Sequence, residues 1–113
     1  MSDRTLHALD RILSGGGEAD DVLRAVVELL AAESRIQWAG IAFREEGALV
    51  LGPQAGRPSE AERTTVPVVY DGSSVGELWV DGDADPAFLE RVAEGVSECV
   101  LIGWDTQGQA WEP

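Results

Sequence analysis

The chain has no lysine, one cysteine (Cys99) and one histidine (His7) among its 113 residues. A lone cysteine excludes an intrachain disulfide, and a reducing, cytoplasmic setting fits such a chain best. Without lysine, Gly15-Gly16-Gly17 has no Gly-Lys-Ser/Thr after it. The run therefore reads as a hinge between helices rather than a phosphate loop. No apolar run approaches the ~20 residues that a membrane-spanning helix needs. Residues 1–7 carry an early acid and no continuous apolar stretch, so they do not read as a signal peptide. Positive charge is scarce as well: eight arginines face 21 Asp and Glu, a formal net charge of −13. A field of that sign repels phosphate backbones and anionic lipid, so neither nucleic acid nor a membrane is expected as a partner. Two readings of the acidity stay open. One is a solvated surface in a GC-rich genome, where Arg displaces Lys. The other is adaptation to high internal salt, which predicts a melting temperature that climbs with KCl to molar concentrations.

What is present is ordinary for a folded domain. Hydrophobic residues make up 44%, and a chain this long buries roughly two-thirds of its unfolded surface, enough for one core. Leu6, Leu9, Ile12 and Leu13 predict an amphipathic helix over 4–13. A second helix carries Val22, Leu23, Val26, Val27, Leu29 and Leu30 on one broad stripe, with Asp20 or Asp21 as its cap. Ile36–Phe43 and Ala48–Leu51 read as a hairpin, and the Gly- and Pro-rich stretch Gly52–Arg63 as a surface loop. Thr64–Tyr70 and Ser74–Val80 form a second hairpin around Asp71-Gly72. Pro67 has no amide to donate, which points to an edge or bulged position. Asp85-Pro86 starts a long final helix through Leu101, which Gly103 ends. The fold class expected is α+β: two layers, with helices from both ends of the chain on one face of an antiparallel sheet of four to five strands. Residues 1–17 are read as a helix and hinge, 18–104 as the domain, and 105–113 as an irregular tail bearing Trp111.

The element order and several short stretches resemble the GAF domain, and within it the free methionine-R-sulfoxide reductases. Trp38-Ala39-Gly40-Ile41 is similar to their first-strand Trp-x-Gly pattern. Leu49-Val50-Leu51-Gly52-Pro53, followed by Gly56-Arg57-Pro58, is similar to their Leu-Val-Leu-Gly-Pro-x-x-Gly-Lys-Pro stretch. Val66-Pro67-Val68 and Val75-Gly76 through Leu78, Val80 and Asp81 resemble their later strands. The departures are as informative. Ser59-Glu60 stands where that family has a cysteine, and Glu60–Arg63 replaces the long segment that carries its other cysteines and pocket walls. Of the family's substrate-holding carboxylate positions, one falls on Arg63 and one on Trp79. Only Asp81 keeps its acid. Sulfoxide reduction needs a thiolate to attack sulfur and usually a second thiol to resolve the adduct. Cys99 matches no family position and cannot do both.

No catalytic residue is therefore expected. Cys99 reads as a structural thiol on the apolar face of the last helix, and His7 as a surface histidine. Asp81-Gly82-Asp83-Ala84-Asp85 begins like a calcium loop, but Pro86 and Val92 stand where such a loop needs Gly and a bidentate Glu. No metal and no cofactor are expected. Alternation along the last strand puts Trp79 opposite in sense to Leu78 and Val80, hence on the face where GAF domains hold ligands. Trp38, Trp79 and Asp81 are the candidate ligand-binding residues, and the other reading of Trp79 is a plug in a shrunken pocket. The function expected is a non-catalytic GAF-like sensing or interaction module, homodimeric through its terminal helices, with a small molecule or another protein as further partner. The alternatives are a small-molecule receptor with a reduced pocket and a diverged methionine sulfoxide reductase.

Overall fold

Spacing of apolar residues by three and four places Leu9 of α1 (Asp3–Ser14) in the core, with Leu6, Ile12 and Leu13 packed beside it in the computed structural model. The structure describes residues 3–15, 17–45 and 47–102. After the glycines, α2 (Ala19–Ala31) buries Val22, Leu23, Val26, Val27 and Leu30. Its cap differs from the expected one. Glu18 is the N-cap, with extended backbone and no side-chain cap hydrogen bond, and Asp20 and Asp21 lie inside the first turn. There they still oppose the positive end of the helix dipole.

The chain then runs through β1 (Ile36–Glu45), β2 (Ala48–Gly56), a short 3-10 turn (Glu60–Glu62), β3 (Arg63–Tyr70), β4 (Ser73–Gly82) and α3 (Pro86–Ile102). The sheet order is β2-β1-β4-β3, and every neighbouring pair is antiparallel. Pro67 accordingly lies on an edge strand, exposed. The stretch 52–56, expected as loop, instead prolongs β2. Gly40 pairs with Gln54 while Ala42 pairs with Leu51, so Gly52 and Pro53 together oppose Ile41 in a bulge. A bulge tolerates the missing amide of Pro53, whose ring is buried. Gly56 ends the strand at φ +97°, and a Cβ there would strike the Gln37 carbonyl. That same carbonyl accepts the Arg57 N–H at 2.8 Å.

Pro86 opens α3 as expected, with Asp85 as its cap: the Asp85 Oδ1 accepts the Ala87 N–H at 3.2 Å. Leu89, Val92 and Val96 of α3 and Leu23, Val26 and Leu30 of α2 meet Ile41, Leu78, Val80 and Val68 of the sheet. α2 and α3 cover one face of the sheet and α1 packs against both of them, so the architecture is the expected α+β with helices from both ends of the chain together, and with four strands among the described residues. No described helix is long and apolar enough to cross a membrane. The expected tail over 105–113, with Trp111, lies outside the described residues, as do Trp104 before it and the expected stop at Gly103.

Candidate functional site

The face of the sheet turned away from the helices takes every second residue of each strand. Register sets Trp38 of β1 beside Asp81 of β4, and Asp81 beside Arg63 of β3. One step along, Gly40, Trp79 and Thr65 form the next row. Leu78 and Val80 point to the core, which leaves Trp79 on the outer face, as strand alternation implied.

These two rows build one cluster. The Asp81 carboxylate is fully buried and accepts three hydrogen bonds. Arg63 donates from Nε at 2.7 Å and from Nη2 at 3.0 Å, and the Ser59 backbone N–H donates at 2.6 Å. The Arg63 guanidinium also covers two indoles, its central carbon 4.6 Å from the Trp38 ring centre and 5.4 Å from that of Trp79. Each wall has its own anchor. Trp38 Nε1 donates to Gln54 Oε1 at 3.1 Å, and Trp79 Nε1 donates to Glu77 Oε1 at 2.8 Å. Gly40 leaves room for the Trp38 benzo edge, since a Cβ at Gly40 would come within 2.7 Å of Trp38 Cη2.

The guanidinium hydrogen bonds hold the Asp81 carboxyl below the usual carboxylate range, helped by the Ser59 amide, while burial pulls in the opposite direction. An ionised carboxylate so engaged does not serve as a general base. What the arrangement does supply is a place for a cation: a bidentate acceptor at one edge and two indole rings beneath it.

All three candidate residues, Trp38, Trp79 and Asp81, are thus brought together, and the group joining them is one that the sequence had counted as a loss. Arg63 was a position where an acid is missing, one residue before the expected start of its strand. The signal that locates it is the Arg63–Asp81 cross-strand pair, visible only once β3 is extended by that residue. Cys99 lies on α3, half-buried against the core and across the sheet from this cluster. Burial, with the Glu98 charge beside it, pushes its thiol pKa up. His7 is exposed. In the acidic loop after β4, Asp83 forms an exposed ion pair with Arg35 at 3.7 Å and Asp85 caps α3.

The GAF domain of a phosphoenolpyruvate-protein phosphotransferase from Acinetobacter superposes with a TM-score of 0.68 at 17% identity, covering 100% of this chain and 99% of that one. The fold is that of a GAF domain. Free methionine-R-sulfoxide reductase from Staphylococcus aureus, solved with its substrate, aligns with a TM-score of 0.67 and 16% identity over 88% of this chain and 97% of its own. The Thermoplasma acidophilum type II enzyme of that name gives 0.64 and 17% over 82% and 96%. No protein-family model matches the chain, and no curated protein matches it in sequence. The GAF fold and its kinship in shape with the sulfoxide reductases therefore rest on structure, as the short motifs had implied.

Proposed function

We propose that this chain is a non-catalytic GAF-like sensing or interaction module, working as a homodimer in a signalling or regulatory role in the cytoplasm. One observation carries the reading: the acid retained at the outer face of the GAF sheet is already neutralised by the chain's own Arg63. A substrate ammonium would have to displace Arg63 to reach that anion, and Cys99, the one thiol, lies on the other side of the sheet. GAF domains described as a sensor protein and as part of a phosphotransferase are among its structural neighbours, which supports a regulatory setting. The dimer draws support from apolar side chains on the terminal helices, Leu101 of α3 being half exposed and Leu6 and Leu13 of α1 only partly covered.

The test is turnover of free methionine-R-sulfoxide with a dithiol reductant, beside sedimentation of the same sample. The expected results are no consumption above the buffer rate and a dimer at micromolar concentration. Enzyme-dependent consumption overturns the non-catalytic reading, and a strict monomer at high protein concentration overturns the dimer. A second reading, a receptor with a reduced pocket, is favoured by the partial exposure of Trp79 and of the Arg63 side chain, the latter 20%. A thermal-shift screen in matched salt distinguishes it, since ligand at about 100 times its Kd adds about 2.7 kcal/mol.

A further inference from the structure

Each wall around Arg63 also has a hold of its own. Trp38 is held by Gln54 and by the space over Gly40, Trp79 by Glu77, and the second oxygen of Asp81 by the Ser59 amide. Arg63 is by contrast the first residue of an edge strand, directly after a 3-10 turn. Rotation about its side-chain bonds would carry the guanidinium to solvent and leave the strand ladder in place. Departure of Arg63 would leave a fully buried carboxylate with the Ser59 amide as its donor, facing two indoles. A carboxylate left buried in that state is costly until it takes up a proton or a replacement cation. The bidentate engagement of Asp81 and the two indoles beside it together favour a guanidinium over a compact ammonium.

We infer that Trp38, Trp79 and Asp81 form a guanidinium-binding cage that the chain fills with its own Arg63, and that a small molecule bearing a guanidinium group is the ligand that displaces it. The inference rests on reading the site as a non-catalytic binding module and gives that site its ligand class. Arg63 acts as a tethered competitor, because an intramolecular cation reaches the carboxylate without the entropy cost that a dissolved one pays. An external ligand meets that competition in the native chain, so affinity is set by how readily Arg63 swings out. The net charge of −13 favours entry of a cation.

The experiment uses the full chain carrying Arg63→Ala, titrated with methylguanidinium chloride at millimolar concentrations. Thermal shift and tryptophan fluorescence are read against sodium and tetramethylammonium chloride at the same ionic strength. The expected result is a saturable response with a Kd at least ten-fold below that of the native chain, absent when Asp81→Asn is added. Arg63→Lys, which keeps a cation beside Asp81 but lacks the planar fork, supplies the same readout should Arg63→Ala not fold. No saturable response in either variant, an equal response to tetramethylammonium, or binding that survives Asp81→Asn overturns the cage. Those failures leave the non-catalytic reading intact, because only turnover by the native chain removes that one.

Discussion

Replacing Gly40 by Ala tests whether the Trp38 indole is a fixed wall. Gly40 does not occupy the left-handed region, so Ala at this strand position would ordinarily stabilise by about 0.4–1 kcal/mol through reduced freedom of the unfolded chain. Here the new methyl lands 2.7 Å from Trp38 Cη2, 2.8 Å from Cζ2 and 3.1 Å from a Leu51 methyl. Trp38 has nowhere to retreat: it is 2% exposed, its Nε1 is bonded to Gln54, and Arg63 covers its ring. Overpacking of a filled site costs about 1–3 kcal/mol. The midpoints of the two ranges leave a net loss of about 1.3 kcal/mol, or about 5 °C at roughly 4 °C per kcal/mol for a domain of this size. Urea unfolding followed by far-UV circular dichroism gives the midpoint and slope independently of tryptophan emission. Adding Trp38→Phe removes the carbons that clash, so the double variant should lose about 1 kcal/mol less than the sum of the singles. A Gly40→Ala protein as stable as the native one refutes the fixed wall.

Asp81 sets a pH dependence. Its carboxyl lies below the unfolded value near 3.9, so its stabilising contribution is complete above that pH and is lost as pH falls through the lowered folded value. The gap in urea midpoint between native and Asp81→Asn proteins should therefore hold from pH 7 to 5 and close below about 4; a gap unchanged into strong acid contradicts the ion pair. Leu9, 1% exposed, ties α1 to the core, and Leu9→Ala should cost about 2–5 kcal/mol in urea unfolding, whereas a loss under 1 kcal/mol would mean that α1 is dispensable. The Cys99 thiol, raised by burial and Glu98, should react with iodoacetamide at pH 7.5 more slowly than a small free thiol, with the normal rate restored in urea. A melting temperature that stays flat between ordinary and molar KCl removes the high-salt reading of the acidic composition.

Much of the fold was legible because it is local. The apolar spacing in α1 and α2, the Asp85-Pro86 start of α3 and the Asp71-Gly72 turn each act within a few residues of themselves. The readings that failed were those in which local composition met a distant partner. Gly52-Pro53 looked like loop because both residues weaken a strand alone, yet the β1 ladder holds them in a bulge. Asp20 and Asp21 had the chemistry of a cap, but the first helical hydrogen bond, from the Val22 N–H to the Glu18 carbonyl at 3.0 Å, starts the helix upstream of both.

The sequence by itself determined the two-layer plan, the face on which Trp79 lies and the absence of a second thiol, since alternation and composition do not depend on register. Tertiary structure decided what the outer face holds. Trp38, Arg63 and Asp81 come from three strands, and only the pairing of β1 and β3 with β4 places them side by side. A charge that reads as a lost acid in one dimension becomes, across the sheet, the partner of the acid that remains, because a buried carboxylate requires a cation and the register provides one.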